Sequence, residues 1–460
     1  MLFTTFTFLG FLVVVLALFY LIPQRFRRYL LLAASLVFYM AWRAGYVVVI
    51  LGLITVDYFA ALWIARREGA SRRMALIVSL AANIGMLGWF KYANFARDIW
   101  IQLVHPGAVF SPLDIILPLG ISFHTFQSIS YVIDVYRGEQ TVVTSYIDYA
   151  LFVSFFPQLV AGPIVRAREF FHDLWNWNAP TAAEWQQGVA TILTGFVKKL
   201  VFADQFALVA DSYFLNPAAL PGMVPAWTGT IAFALQIFFD FSGYTDIAIG
   251  VALLFGFHFP ENFRRPYLSA SVTEFWRRWH MTLSRWLRDY IYISLGGNRK
   301  GEIRTYLNLM ATMLLGGLWH GASWNFVIWG GYHGVLLAVE RMVWGREVRT
   351  GWLRIPLGVL TFLLVCVGWV FFRAKTFAAA MFVLGQMIST TSGHSLLSLW
   401  QWRIAILSLI VALAEEYRGA LTRLTVSPVW ARTLAVVAAL LVIELFSATE
   451  QTIPFVYFQF

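Results

Sequence analysis

Apolar runs long enough to cross a lipid bilayer recur along this chain and constrain it more than any motif does. Leu2–Ile22, Tyr46–Ala65, Met74–Phe90, Ile115–Val135, Trp227–Gly256 and Trp352–Phe372 are the clearest, with a shorter run at Tyr29–Trp42. A spanning helix needs about 20 mostly apolar residues and must satisfy its own backbone hydrogen bonds. Of the 460 residues, 60% are hydrophobic and 13% charged, whereas soluble domains carry roughly 45–50% and 25%. These proportions exclude a soluble enzyme with an added anchor. They predict an all-α polytopic membrane protein with about 11–13 transmembrane, re-entrant and interfacial helices.

The basic residues orient those helices. Arg25, Arg27 and Arg28 follow the first run, and Arg66, Arg67, Arg72 and Arg73 follow two crossings later, with Arg137 two crossings after that. Positive charge is retained on the cytoplasmic side, so the N-terminus is expected outside. No basic stretch precedes the first apolar run, which argues for an uncleaved helix rather than a signal peptide. The net charge of +10 is better explained by this asymmetry than by nucleic-acid binding. Cys366 is the single cysteine. A disulfide framework and a cysteine metal site are therefore excluded.

Four segments divide what reads as one membrane domain over residues 1–460: N-terminal spans to 137, central and re-entrant helices at 138–256, a core at 257–345, and C-terminal spans at 346–460. Tyr149–Val160, closed by Ala161-Gly162-Pro163, is too short to span and reads as re-entrant or buried. Trp175–Trp185 suggests an interfacial helix. Asp240 and Asp246 interrupt the long run at Trp227–Gly256. They mark either a polar contact between helices or a boundary between two shorter ones. The loop Phe257–Arg304 is dense in arginine and is expected on the cytoplasmic side. Within it, Phe275, Trp276, Trp279, Leu283, Trp286, Leu287, Tyr290 and Ile291 recur at helical spacing, opposite Arg277, Arg278, Arg285 and Arg288. That pattern predicts an amphipathic helix lying in the interface. His258, beside Pro260, reads as a helix-end residue.

Soluble catalytic motifs such as GxSxG, GxxxxGK[ST] and HExxH are absent. Attention falls on Gly317-Leu318-Trp319-His320-Gly321-Ala322-Ser323-Trp324-Asn325-Phe326, which lies between two apolar segments. An ionisable side chain at membrane depth is costly and usually faces a cavity, a partner or a reaction path. Gly316, Gly317 and Gly321 permit close approach of a backbone or ligand. A neutral imidazole in such a pocket can take a proton from a hydroxyl, whose oxygen then attacks an ester or thioester carbonyl. The alternative is a histidine hydrogen-bonded between helices. His280 on the amphipathic stretch is the second candidate. His333 falls 13 residues after His320, on the far side of a continuous helix, so the two are not expected to pair.

The stretches Phe275–Tyr290 and Leu318–Asn325 resemble the two signature blocks of the membrane-bound O-acyltransferases, in the bacterial branch that acetylates alginate or transfers D-alanine to teichoic acids. Pro118–Gln127, Phe156–Pro163, Phe239–Asp246, Gly368–Ala374 and the C-terminal Pro454–Phe460 match that branch as well. The resemblance implies helices around a central tunnel, with an acyl group carried from a cytoplasmic donor to a hydroxyl acceptor on the outer face. It implies His320 as the catalytic residue and a role in activity for His280. Trp319, Trp324, Asn325, Trp279, Arg285 and Asp289 are expected to line the tunnel or support it, with Asn298 in the same block.

The chain length and the ending Phe-Val-Tyr-Phe-Gln-Phe look more like the alginate-acetylating group than the D-alanyl group, and that resemblance implies an acetyl group and an exported, alginate-like polysaccharide. Peptidoglycan, cellulose and teichoic acid are alternative acceptors. No metal and no tightly bound cofactor are expected; acetyl-CoA or an acyl-carrying partner is the expected donor. The resemblance also implies a periplasmic acetyltransferase or polymer-handling partner, contact with membrane lipid, and the bacterial inner membrane as location. A secondary transporter or export-complex component is the alternative from another class. It would draw on a broken helix at Asp240–Asp246.

Overall fold

The computed structural model describes residues 1–105, 111–160, 162–345, 351–418, 427–446 and 455–456. Ala161, Pro454 and Tyr457–Phe460, which carry part of the sequence reading, lie outside the described residues. The first half of the chain forms α1 (Phe6–Leu21), α2 (Gln24–Met40), α3 (Tyr46–Arg66), α4 (Gly69–Leu87), α5 (Ala93–Val104), α6 (Ile121–Arg137), α7 (Tyr146–Ser154), α8 (Phe156–Leu159), α9 (Ala167–Trp175) and α10 (Ala182–Phe196). It continues through α11 (Asp204–Leu215), α12 (Met223–Leu254), α13 (Val272–Arg278), α14 (Met281–Leu287), α15 (Glu302–His320), α16 (Trp324–Trp344), α17 (Arg354–Arg373), α18 (Phe377–Met387), α19 (Leu399–Arg418) and α20 (Val429–Phe446). No strand occurs among the described residues. The protein is an all-α polytopic membrane protein. Its helices outnumber those read from the sequence because several stretches that look continuous are split.

The helices pack into two units, one of Met1–Val189 with Ala248–Pro260, the other of Ala190–Ile247 with Glu261–Phe460. In the first unit α3, α4 and α6 pack together. The Asp57 carboxylate accepts hydrogen bonds there from Ser79 Oγ (2.6 Å) and Asn83 Nδ2 (2.8 Å), which satisfies a charge that lipid could not. The short apolar run near 149–160 is buried, as its length implies: Ser145 caps the start of α7, its hydroxyl accepting from Asp148 N, and the helix stops before Phe155, where α8 follows. Trp175–Trp185 is not a helix. α9 ends at Trp175, residues 176–181 are irregular, and the Trp177 indole donates to Phe255 O (2.8 Å). His258 does more than end a helix. Burial works against its charged form, but Glu184 (3.0 Å) and Asp173 (3.3 Å) outweigh it and raise its pKa.

In the second unit α12 runs unbroken through Asp240 and Asp246, so the helix-boundary reading falls and the polar-contact reading holds. The partners come from a π-helical turn at Val197–Ala203. Lys199 Nζ lies 2.7 Å from both Asp240 and Asp204, all three buried, while the more exposed Lys198 meets Asp246 at 2.6 Å. Asp240 also accepts from Val456 N (2.5 Å). Glycines make room for this contact: a Cβ on Gly195 would sit 2.5 Å from Gly243 O.

The amphipathic helix expected at Phe275–Tyr290 is corrected in two respects. It is three pieces, α13, α14 and a π-turn at Arg288–Tyr292, broken where His280 adopts a left-handed backbone (φ 42°). Its apolar face is also buried in protein rather than lying in an interface, with Phe275, Trp279, Trp286 and Tyr290 all buried. Several arginines are internal fasteners: Arg265 and Arg278 hold Glu416, and Arg278 and Arg354, at the start of α17, hold Glu274.

Removing one member of a buried ion cluster strands the others, at about 3–5 kcal/mol. Lys199→Met is therefore expected to lower the thermal midpoint of the detergent-solubilised protein sharply, and Lys198→Met much less. Equal midpoints for the two variants would contradict the clamp.

Candidate active site

His320 is the last residue of α15, 5% exposed. The helix stops because Gly321 is extended and Ser323 starts the next helix, its hydroxyl accepting from Asn325 N (3.1 Å). The turn is tight enough to demand glycine on space alone, since a Cβ on Gly321 would lie 2.0 Å from the Phe326 ring. α15 and α16 then cross with their backbones touching. A Cβ on Gly317 would lie 2.2 Å from Phe326 O, and one on Gly330 2.3 Å from Met313 O. Small residues that let helices meet this closely are the usual means of packing where lipid removes the hydrophobic drive.

Three rings surround the His320 imidazole at near-perpendicular angles: Trp319 at 4.9 Å, Trp329 at 5.1 Å and Phe372 at 5.2 Å between centroids. Trp319 and Trp329 come from the ends of the two crossing helices, and Phe372 from α17. His280 is fully buried at the α13–α14 break, its Nδ1 3.2 Å from Asn262 Oδ1. Asn262 fixes the break: its carbonyls accept from Met281 N (2.9 Å), Thr282 N (3.1 Å) and Thr282 Oγ1 (2.9 Å). The His280 ring meets Phe241 at 4.7 Å and Trp319 at 6.2 Å. The two candidate histidines thus share one indole.

The remaining sequence-derived residues take different places. Trp279 is buried among Phe263, Phe275 and Trp369. Asn325 is buried, but its amide donates to Ala374 O (2.8 Å) and ties α16 to the end of α17. Asp289 bonds the neighbouring Arg288 (2.6 Å). Trp324 is 56% exposed, while Trp329 and Phe372 pack against His320. Arg285 is partly exposed on α14, and Asn298 accepts a hydrogen bond from the Tyr292 hydroxyl. A shallow, open surface depression lies beside this block, lined by Arg288, Tyr292, Ile293, Gly297, Asn298 and Arg299. His333 is fully buried against Trp329 (4.9 Å) and Trp276 (5.2 Å), so both it and His320 touch one indole despite their spacing. Sequence reasoning missed Trp329 and Phe372, although both stand within or beside motif blocks. No group of three or more potential metal ligands occurs among the described residues.

This arrangement is a buried imidazole held by aromatic rings, on a helix crossing that tolerates no side chain, in a membrane protein. Residues 139–379 match the model of the membrane-bound O-acyltransferase family, and the chain belongs to that family. It is an acyltransferase of multi-pass membrane type. It is 40% identical to the probable alginate O-acetylase AlgI of Pseudomonas putida over 98% of each chain. To the protein of that name from Pseudomonas aeruginosa it is 46% identical, over 82% of this chain and 73% of the other. Identity to the peptidoglycan O-acetyltransferase of Helicobacter pylori is 39%, over 78% of this chain and 73% of that one.

The crossing at Gly317 gives a direct test. Gly317→Ala forces backbone against backbone and should cost at least ~1–3 kcal/mol. Gly331→Ala, which meets only Leu314 Cδ2 at 3.5 Å, should be neutral or mildly stabilising. Thermal unfolding of the two purified variants separates them, and a stable Gly317→Ala protein would contradict the close crossing.

Proposed function

We propose that this protein transfers acetyl groups from a cytoplasmic donor to the hydroxyls of an exported, alginate-like polysaccharide, with His320 as the general base. The observation that carries the reading is the burial of an imidazole at the glycine-bounded end of α15, in a chain similar along nearly its whole length to an alginate O-acetylase. His320 takes the proton of the acceptor hydroxyl as its oxygen bonds to the acyl carbonyl. The carbon–sulfur bond of a thioester donor then breaks, and the proton passes to the leaving thiolate. His280 shares Trp319 with His320 and supports the site through that ring.

Acetyl-CoA or an acyl-carrying protein is the donor in this reading, approaching the arginine-bearing surface depression beside Asn298. A periplasmic partner would accept the acetyl group or present the polymer. The charge asymmetry supports insertion in the bacterial inner membrane with the N-terminus outside and the basic loop inside. The tunnel connecting the two faces belongs to this proposal. The transporter reading loses its main support, because α12 is unbroken at Asp240–Asp246.

Replacing His320 with alanine should abolish polymer O-acetylation, a fall of about 10²- to 10⁴-fold for loss of a general base, while the protein accumulates and polymer is still exported. Retained acetylation would remove His320 from the chemistry, and loss of export would favour the transporter. His280→Asn, which tolerates the left-handed backbone, should leave reduced but measurable acetylation. Full activity in that variant would make His280 a structural residue alone.

A further inference from the structure

On taking a proton as general base, His320 becomes a cation in a site where only 5% of the residue is exposed. A desolvated cation needs a source of negative potential. We propose that Trp329, with Trp319 and Phe372, forms an aromatic cage that stabilises the His320 imidazolium, and that Trp329 is a catalytic residue of this enzyme. The inference rests on His320 being the base.

The geometry points to Trp329 within the set. All three rings stand nearly perpendicular to the imidazole, at 74° for Trp319, 87° for Trp329 and 69° for Phe372. In a perpendicular pair the edge of one ring meets the face of the other, and in this proposal the His320 imidazole is the ring that presents its edge. The imidazolium edge carries the N–H and C–H bonds over which its charge is spread, and the aromatic face carries the negative end of the ring quadrupole. Tryptophan supplies the strongest such face. Trp329 is closest to perpendicular and is only 1% exposed. It is also firmly held, stacked on Trp369 at 5.9 Å and 21° and braced by Phe372 at 5.3 Å and Trp276 at 5.7 Å. A ring so braced requires no reorganisation when the charge appears, which is the condition for electrostatic stabilisation of a transition state. The cage adds no reactant and removes none. The proton passes from the acceptor hydroxyl to His320 and on to the leaving thiolate, and the cage lowers the energy of the state between.

Fluorination separates electrostatics from packing, because it withdraws density from the indole face at nearly constant shape. The experiment introduces mono- to tetrafluorotryptophan at position 329 by nonsense suppression, in full-length protein in intact cells. A pulse of radiolabelled acetate then reports label entering the exported polymer, normalised to the amount of membrane-inserted enzyme. The logarithm of the rate should fall in even steps with fluorine number, reaching about 5- to 30-fold for the most substituted ring. Trp329→Phe should lie within the series, and Trp329→Leu at or below its end. A flat fluorination series overturns the cage, including when Trp329→Leu is inactive, since that pattern is packing alone. His320→Ala in the same cells separates the two failures. If it keeps activity the base itself is wrong; if it is inactive while fluorination has no effect, only the cage is wrong.

Discussion

The crossing of α15 and α16 at backbone contact is the constraint on which the site depends. Gly317 lies under Phe326 O, and Gly330 under Met313 O. Nothing larger than hydrogen fits at either point, so the two helices have one register and one rotation relative to each other. That single fit sets the end of α15, where His320 sits, and the phase of α16, which turns Trp329 toward it. Gly321 adds a second lock, because the ring of Phe326 occupies the space its side chain would take. In water such a crossing would be one packing solution among several. In lipid, where apolar surface gains little by leaving its solvent, close van der Waals contact between backbones is a main source of helix association.

The second constraint is charge at membrane depth, which the fold meets by setting the buried carboxylates Asp57, Asp204 and Asp240 against donors and a lysine. Asp57 is held by Ser79 and Asn83, and Asp240 by Lys199 and the backbone of Val456. Lys199 is shared with Asp204. Buried ion pairs of this kind contribute little net stability compared with an apolar replacement of the whole set, but they specify register, because any shift leaves a charge unpaired. The π-helical turn that carries Lys199 and the glycines that bring α12 against it belong to one arrangement.

Much of this was legible in the sequence, and what was not has identifiable physical causes. Long apolar runs announce helices because lipid permits few alternatives, and α3, α4 and α17 fall close to where their runs place them. Tyr149–Val160 could be read as buried on length alone. The break at Trp279–His280 could not be read, because Asn262 imposes it from outside the periodic stretch. A helix-like pattern of aromatics persists through it. The phase of α16 was equally hidden. Trp324 and Trp329 are five residues apart, about 140° around a helix, and only the contacts of Gly317 and Gly330 decide which of them faces His320. The shared contact of His320 and His333 with Trp329 was also out of reach of spacing, because counting turns assumes one helix and the chain reverses at Gly321–Ser323.

That reversal also bears on why the surroundings of His320 are aromatic. Soluble enzymes commonly orient a histidine base with a carboxylate that also stabilises its charged form. In this membrane domain the buried carboxylates Asp57, Asp204 and Asp240 are each tied to a cation or to hydrogen-bond donors, so a carboxylate beside His320 would bring further polar groups into a crossing where backbone meets backbone. Aromatic faces supply negative potential with no net charge and no hydrogen-bonding demand. They also pack: Trp329, Trp369 and Phe372 are part of the buried core of this unit as well as neighbours of the imidazole. A site built this way can be completed by the same rings that hold the helices together, and the histidine at its centre needs only the glycines on either side of the crossing to reach them.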